Sequence, residues 1–414
     1  MITSIRLVNF KNFADETLRV GPFTVIVGAN ASGKSNIRDA FRFLHGIGRG
    51  YTLAEILGGK YGGGGQREWE PIRGTADEIV RFGQFLFSLE VGFELNGTEL
   101  NYSIEVGYDP ASRSRFQLLK EKLTSNAETV FEAHSSGRQL KIRTPKTSGT
   151  LPLSSLGKPI LLQIVRGLKI PRHPPYKFDR SHCYRIWRRL ERMRFLEPSP
   201  DRMREPSFPG ANILGDSGEN LPTVLEGVCA DPKRREILIS WVHELTPMDI
   251  KDFEFPRDPS GRIHLTLCET NGRTVSAYSA SDGTLRFLAM LAVLLDTNST
   301  GLYFFEEIDN GIHPVRLNLL MDLIERQTAK HGIQVLTTTH APTLLTVMNE
   351  NTFENTSVVC RLEDTSDAII RPVAELPNVR ELRQDQGLGR LHESGWMENA
   401  LFFTEDYDEV EGGS

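Results

Sequence analysis

Phe23-Thr-Val-Ile-Val-Gly-Ala-Asn-Ala-Ser-Gly-Lys-Ser-Asn-Ile37 is the stretch that decides the fold. Its start, Phe23–Val27, is apolar at every position except a threonine, which indicates a strand covered on both faces, as in a parallel α/β sheet. Gly28–Ser35 then matches the phosphate-loop pattern Gly-x-x-x-x-Gly-Lys-Ser at every specified position. Helical spacing of apolar residues follows over 36–44. A phosphate loop between a strand and a helix predicts a site for a nucleoside triphosphate, ATP with Mg²⁺.

Each residue type in this loop has a chemical reason to be there. Gly28 and Gly33 let the backbone curl so that successive N–H groups point at phosphates, with the positive end of the helix behind them. Lys34 would bridge the β- and γ-phosphates, and the Ser35 hydroxyl would ligate Mg²⁺. The predicted nucleotide contacts on this loop are Gly28, Asn30, Ser32, Gly33, Lys34, Ser35 and Asn36.

A second apolar strand, within 301–309, ends in two adjacent acids. Two carboxylates at the edge of such a strand are costly unless a cation or a reacting water uses them. We assign Glu306 to the Mg²⁺ shell and Glu307 to polarising the attacking water. The alternative is a solvated strand end.

Two further polar segments follow the same scheme. Ser281 and Gly283 precede the apolar helix Leu285–Leu295, where the helix N-terminus would offer amides and dipole to a phosphate. His340 ends the strand that begins at Gln334, and we interpret it as sensing the γ-phosphate. A simple N-cap for Ser281 and a structural histidine are the alternatives.

Composition restricts the class of protein. The chain has 414 residues, 39% hydrophobic and 25% charged, with a net charge of −6, as in an ordinary globular protein. The longest apolar run, Phe287–Leu295, is far short of the roughly 20 residues of a membrane span. The first residues carry no signal-peptide pattern, so we expect a cytoplasmic protein without membrane contact. The four cysteines lie far apart, which favours reduced thiols over a zinc site or disulfides.

The rest of the chain predicts a layered organisation. Residues 4–27 read as two strands, and 82–145 alternate apolar and polar residues around the hairpin signal Asn96-Gly97, which predicts an antiparallel layer. The glycine-rich stretch 58–65 is a flexible connector, favoured over a second phosphate loop. We also expect strand at 263–267 and helices at 220–228 and 234–245.

Domain boundaries follow from these changes in pattern. We predict an N-terminal ATPase lobe (1–165), a basic helical insertion (166–255), a C-terminal ATPase lobe (256–350), a C-terminal extension (351–404) and an acidic disordered tail (405–414). In the insertion, a helix would place Tyr184, Trp187 and Leu190 along one side. Its arginines would contact DNA or RNA phosphates, or form a solvated face: Arg185, Arg188, Arg189, Arg192 and Arg194.

In this order the four elements resemble the ABC-type ATPase head of the RecF/SMC class, specifically its OLD-like branch of stand-alone bacterial ATPases. In that branch the Walker B region reads Glu-Glu-Pro-Glu-Asn-x-Leu-His-Pro, and here Glu306-Glu-Ile-Asp-Asn-Gly-Ile-His-Pro314. The signature reads Leu-Ser-Asp-Gly-Thr-x-Arg, and here Ala280-Ser-Asp-Gly-Thr-Leu-Arg286. The segments 195–206 and 220–225 are also similar, so the resemblance spans roughly 1–405. Ile308 and Ala280 depart from the pattern without removing a ligand, which indicates slow turnover.

The resemblance implies a P-loop NTPase fold with a mixed central sheet, an antiparallel β layer and an inserted helical lobe. It implies a homodimer that sandwiches ATP, with Ser281 and Gly283 completing the site of the second subunit. Gln163 is our assignment for the glutamine that links nucleotide to the helical lobe. The residues after His340 lack the spaced acids of a Toprim nuclease, so a separate effector or nuclease is expected, in phage defence. The alternatives are a RecF-like DNA repair ATPase and a nucleotide-dependent scaffold that does not hydrolyse ATP.

Overall fold

The computed structural model describes residues 1–111, 115–136, 139–145, 148–151, 157–167, 180–245, 249–295, 301–362 and 365–401. The predicted acidic tail 405–414 lies outside these residues.

The first part of the chain is mostly strand. In chain order its elements are β1 (Ile2–Phe10), β2 (Phe13–Arg19), β3 (Phe23–Val27), α1 (Lys34–Arg49), α2 (Leu53–Gly58), β4 (Lys60–Tyr61), β5 (Arg67–Trp69), β6 (Leu86–Leu95), β7 (Thr98–Tyr108), β8 (Phe116–Ser125), β9 (Glu128–Ser136), β10 (Gln139–Arg143), β11 (Ser148–Leu151) and α3 (Ile160–Val165).

The second part alternates helices and strands. Its elements are α4 (Ser181–Glu191), β12 (Arg194–Leu196), α5 (Pro200–Arg204), α6 (Leu221–Cys229), α7 (Pro232–Leu245), β13 (Ile250–Glu254), β14 (Thr266–Glu269), β15 (Thr274–Ser276), α8 (Asp282–Leu294), β16 (Leu302–Glu306), α9 (Pro314–His331), β17 (Gln334–Thr339), α10 (Pro342–Thr346), α11 (Glu350–Glu354), β18 (Thr356–Arg361), β19 (Ala368–Pro372), α12 (Val379–Gln386) and α13 (Leu388–Glu393). A last helical turn follows at 396–401.

The central sheet has six strands in the order β12-β16-β17-β3-β18-β19. Neighbouring strands from β12 to β18 are parallel, and only the edge strand β19 runs antiparallel. Every residue of β3 is buried, because both faces of this strand are covered. Ile26 belongs to one hydrophobic core, and Phe23, Val25 and Val27 belong to the other. The apolar run in the sequence is thus explained by a strand between two cores.

The second large sheet has eight antiparallel strands, in the order β11-β10-β9-β8-β7-β6-β1-β2. Buried and less buried residues alternate along β6, as the sequence predicts. Asn96 and Gly97 form the hairpin turn with φ of 56° and 71°, a backbone that asparagine and glycine tolerate best. Helix α1 packs between this sheet and the central sheet.

Local details differ from the prediction where long-range pairing decides. Residues 4–27 form three strands, because β2 folds back on β1 with Phe10 opposite Phe13. The stretch 58–65 ends α2 and enters the hairpin of β4 and β5, so it is not only a connector. Strand β14 begins at Thr266, whereas Ile263 forms isolated bridges to Ser207 and Arg257. The predicted helices at 220–228 and 234–245 are confirmed within a few residues as α6 and α7.

Helix α4 packs with a different face from the predicted one. Cys183, Ile186 and Leu190 are buried, whereas Tyr184 is half exposed and stacks beside Trp187. These buried residues join the core that contains α1, and β12 directly after α4 pairs with β16. All four cysteines are free, as predicted, and three of them are buried. In the described part of the chain, none of the helices has the length and apolarity needed to cross a membrane.

Glu121 is fully buried between the antiparallel sheet and α3. Its carboxylate accepts hydrogen bonds from the backbone N–H groups of Ile160 and Leu161, at 2.5 and 2.8 Å, and from the Tyr102 hydroxyl at 3.0 Å. Burial raises the pKa of Glu121 from 4.5 to about 7, and the two N–H donors oppose the rise. This carboxyl group therefore gains a proton in the folded chain at a higher pH than in the unfolded chain.

We expect Glu121 to make the free energy of unfolding fall as the pH rises from about 4.5 to about 7. Since one pKa unit corresponds to about 1.4 kcal/mol, the loss is about 3 kcal/mol. In Glu121→Gln this decrease should disappear, whatever the absolute stability of the variant. Thermal unfolding midpoints across this pH range measure the difference, with the exposed Glu128→Gln as control. Equal pH slopes in wild type and Glu121→Gln would contradict the assignment.

Candidate nucleotide site

The loop between β3 and α1 has a backbone that requires its glycines. A Cβ atom at Gly28 would lie 2.3 Å from the Val359 carbonyl oxygen on the neighbouring strand β18. Gly33, the last residue before α1, has a φ of 118°, in the region that glycine adopts most easily. Both glycines therefore serve the geometry of the loop, as the phosphate-loop pattern predicts.

Lys34 is buried at the start of α1. Its ammonium group donates hydrogen bonds to the Gly28 and Ala29 carbonyl oxygens, at 2.6 and 2.7 Å. Burial lowers the pKa of Lys34, against the opposing charges of Glu307 and Glu398. The cation thus lies inside the loop with backbone partners only, where a phosphate would supply a full negative charge.

Glu306 ends β16 at the same edge of the central sheet. Its Oε1 atom is buried and has no hydrogen-bond partner; the closest cation is Arg38, whose Nε lies 3.6 Å away. An orphaned carboxylate oxygen of this kind fits a divalent cation. Among the described residues, no group of three His, Cys, Asp or Glu side chains is placed to hold a metal. Mg²⁺ bound here would complete its shell with phosphate oxygens and water.

Glu307 and His340 form a pair at the ends of two adjacent strands. The parallel register of β16 and β17 sets Glu306 opposite Thr338, so the residues that follow both strands meet. The distance from Glu307 Oε1 to His340 Nδ1 is 3.0 Å, and both side chains are partly exposed. Glu307 has a φ of 48°, an uncommon backbone for glutamate that turns its side chain away from the strand.

The N-terminus of α8 lies next to the loop after β16. The Ser281 hydroxyl caps α8 by accepting a hydrogen bond from the Thr284 amide at 3.2 Å. A Cβ atom at Gly283 would lie 2.4 Å from the Gly311 carbonyl oxygen, so only glycine permits this approach. Arg204 donates to Asp282 at 2.5 Å and to the Ala280 carbonyl oxygen at 3.1 Å, which holds the segment from α5.

One open cavity of about 730 Å³ joins these elements. Of the predicted site residues, it is lined by Asn30, Ser32, Gly33, Lys34, Ser35, Asn36, Glu306 and Glu307. Four other predicted site residues lie next to the cavity but do not line it: Gly28, Ser281, Gly283 and His340. Residues that the sequence analysis missed also line it: Glu197, Ser199, Asp201, Asp282, Arg286, Asn310 and Thr338. Asp282 and Arg286 stand inside the signature pattern, which was the available signal.

The predicted nucleotide-linking glutamine and the predicted nucleic-acid contacts do not line this cavity. Gln163 is in α3, donates to the Lys158 carbonyl oxygen at 2.9 Å and does not line the cavity. On α4, Arg185 donates to the Leu95 carbonyl oxygen and Arg188 pairs with Glu191 at 3.1 Å. The protein itself therefore already uses two of these arginines.

The solved structures that match this chain include three heads of SMC proteins. The SMC head domain from Thermotoga maritima has 15% identity and a TM-score of 0.44, and the match covers 90% of this chain and 98% of that one. An SmcHead bound to the C-winged helix domain of ScpA has 14% identity, a TM-score of 0.48 and coverages of 89% and 96%. An Smc head domain with an extended coiled coil, bound to the C-terminal domain of ScpA derived from Pyrococcus furiosus, has 13%, 0.45, 92% and 99%. No curated protein matches the chain.

The family comparison agrees with the site. The model described as "AAA domain, putative AbiEii toxin, Type IV TA system" matches residues 23–150 and 237–346. These ranges include the phosphate loop, Glu306 at the end of β16, the following Glu307, and His340. The predicted P-loop NTPase fold of ABC-ATPase type, with a mixed central sheet and an antiparallel β layer, is confirmed. Because the matched residues are more than half of the chain, it belongs to this family of P-loop ATPases.

Proposed function

We propose that the chain binds ATP with Mg²⁺ in this cavity and hydrolyses it slowly. The observation that carries the proposal is the convergence of three groups on one cavity. They are the buried ammonium of Lys34, the unpaired oxygen of Glu306 and the Glu307–His340 pair. A triphosphate, a metal ion and a water molecule would each add a partner to one of these groups beyond those within the chain.

The proposed roles follow from the positions of the side chains. Lys34 and the loop amides bind and orient the phosphates. Ser35 and Glu306 would hold Mg²⁺, which when bound would supply positive charge at the transferred phosphoryl group. Glu307 takes up a proton from the attacking water, and His340, 3.0 Å from it, orients that carboxylate and reaches towards the γ-phosphate. Slow turnover is expected because Ile308 and Ala280 replace residues of the resembling ATPases.

We also propose that two copies close around ATP. Ser281 and Gly283 would complete the site of the second subunit, as in the ABC-type heads that the chain resembles. Hydrolysis removes the γ-phosphate contact and lets the copies part, which gives a conformational cycle. The domain boundaries given above remain part of this proposal.

The cycle would gate a nucleic-acid-linked process through a separate effector or nuclease, in phage defence of the OLD-like type. The family description, which names a putative toxin of a toxin–antitoxin system, supports a role with a second protein. Arg185, Arg188, Arg189 and Arg192 are the proposed phosphate contacts on α4, although Arg185 and Arg188 also bond within the chain.

ATP turnover of the purified chain tests this function. We expect hydrolysis well below the roughly 10 s⁻¹ of a median enzyme, lost in EDTA and faster with duplex DNA. ATP binding without phosphate release would favour the nucleotide-dependent scaffold instead. If neither binding nor hydrolysis is measured, the site assignment is wrong.

A further inference from the structure

A second cavity, of about 960 Å³, lies beside the nucleotide cavity and along α1. We call it the arginine cavity, after the six arginines that line it: Arg38, Arg42, Arg49, Arg67, Arg194 and Arg202. Glu197 and Ser199 line both cavities. The two cavities therefore adjoin at the loop that follows β12.

The arginines come from four separate elements. Arg38, Arg42 and Arg49 lie on α1 at intervals of four and seven residues, which places them on one face of the helix. The other three come from β5, β12 and α5. Elements that are far apart in the sequence thus each contribute arginine side chains to this one cavity.

Carboxylates also line the arginine cavity, but most of them are already paired. Four have one cationic partner each: Glu68 with Lys60 at 3.5 Å, Glu70 with Arg67 at 3.6 Å, Glu197 with Arg38 at 3.6 Å and Asp216 with Arg42 at 3.9 Å. Glu219 accepts a hydrogen bond from the Ser217 hydroxyl at 2.7 Å. These acids therefore do not account for all six guanidinium groups.

Three arginines form no ion pair in the part of the chain that the structure describes. Arg194 donates only to the backbone carbonyl oxygens of Glu191 and Met193. Arg49 and Arg202 are exposed and have no ion pair within the described residues. Arg194 also interacts electrostatically with Asp216, which it shares with Arg42 and Arg38, so the positive charge of the three arginines is compensated only in part.

Arg42 is buried, as is Arg38, and only 9% of its side chain is exposed. Its guanidinium lies over the rings of Trp69 and Phe195, at 4.9 and 5.6 Å from their centroids. Burial, followed by the neighbouring Arg38, lowers the pKa of Arg42. Among the described residues its one ion pair is the long one to Asp216, at 3.9 Å, and Glu70 and Asp39 act on it only from farther away. A buried guanidinium with such weak pairing is costly unless another anion approaches it.

We propose that the arginine cavity binds a phosphate-bearing nucleotide unit, either free or within a nucleic-acid strand. Guanidinium groups bind phosphate oxygens in pairs and stack on bases, which suits both parts of such a ligand. The cavity has the volume of a small-molecule site, larger than a single phosphate needs. Ile213 on its rim is 55% exposed and offers apolar surface to a base. Burial lowers the pKa of His45 to about 3, so this histidine is neutral and adds no charge to the cavity.

Binding can be measured without contribution from the phosphate loop in the Lys34→Ala variant. The two probes are a fluorescent AMP derivative and a fluorescein-labelled hexathymidylate, followed by anisotropy at low ionic strength. The test variant replaces together the three arginines that form no ion pair within the described residues: Arg49→Gln, Arg194→Gln and Arg202→Gln. Its control is Arg273→Gln, an exposed arginine outside both cavities.

We expect at least one probe to bind, and the triple replacement to raise its Kd by about tenfold or more, about 1.4 kcal/mol. Binding of the AMP derivative indicates a free nucleotide, whereas binding of the oligonucleotide alone indicates a strand. If the triple variant does not fold, Arg49→Gln and Arg202→Gln are tested singly, since both side chains are exposed. Absence of binding by both probes, or unchanged Kd values in the arginine variants, would overturn the proposal.

Discussion

Replacing Lys34 by alanine is expected to abolish ATP turnover and to weaken ATP binding by about a hundredfold, or about 3 kcal/mol. The ammonium group is buried in the phosphate loop and bonds only to the Gly28 and Ala29 carbonyl oxygens. No other lysine lines the nucleotide cavity among the described residues, so nothing in its lining substitutes for this charge. Titration with a fluorescent ATP analogue and phosphate-release kinetics measure the two effects.

Lys120→Ala is the matched control for this variant. Lys120 lies on β8, half exposed, and pairs with Glu132 at 3.5 Å, away from the cavity. The substitution removes a lysine and one ion pair but does not change the phosphate loop. Normal hydrolysis in Lys34→Ala would refute the site, whereas a loss of hydrolysis in both variants would indicate a general effect on the fold, which thermal midpoints identify.

Replacing Glu307 by glutamine is expected to leave ATP binding intact and to slow hydrolysis by about 10²–10⁴-fold, the usual contribution of a general base. Glutamine preserves the size of the side chain and a contact with His340, but it cannot accept the proton of the attacking water. Because ATP then persists, the ATP-bound dimer should accumulate. Size-exclusion chromatography with light scattering detects it as a doubled mass in the presence of ATP and Mg²⁺.

Glu306→Gln separates the two neighbouring acids. This change weakens the proposed metal site, so it should reduce Mg²⁺-dependent ATP binding and should not trap a dimer. Wild-type turnover in Glu307→Gln would move the catalytic role to another residue. If Glu307→Gln shows strongly reduced turnover but an unchanged molar mass with ATP and Mg²⁺, the result would support Glu307 as the general base and refute the ATP-bound dimer.

The sequence predicted those parts of the fold that local patterns determine. The strand, loop and helix around Lys34, the hairpin at Asn96 and the acidic end of β16 follow from short stretches with distinct periods or motifs. Strand β2 was missed, because its pairing with β1 does not show in its own apolar pattern. Strand β12 was also missed, since it is three residues long and directly follows a basic helix.

Within the site, the sequence predicted the residues that belong to motifs. It did not predict those that the tertiary fold brings to the cavity from other parts of the chain. Glu197 and Asp201 line the nucleotide cavity more than 160 residues after Lys34, from the loop before α5 and from α5 itself. The segment 195–206 resembles the ATPase branch, but its pattern does not assign either acid to the site. The arginines of α1 had a readable signal, since Arg38, Arg42 and Arg49 share a helical face. The denser run of arginines in 185–194 led to the prediction of a nucleic-acid surface on that segment instead.

The place of β3 in the central sheet has a consequence for the order of synthesis. This strand is synthesised more than 300 residues before its two neighbours in the sheet, β17 and β18. The strand that carries the phosphate loop cannot pair until β17 and β18 have been synthesised. Until then, the apolar residues Phe23–Val27 are exposed and can form non-native contacts. Contacts of such sequence separation slow folding and prolong exposure to aggregation. A nascent chain therefore gains its nucleotide loop in the folded form only after residue 361, the end of β18, has been synthesised.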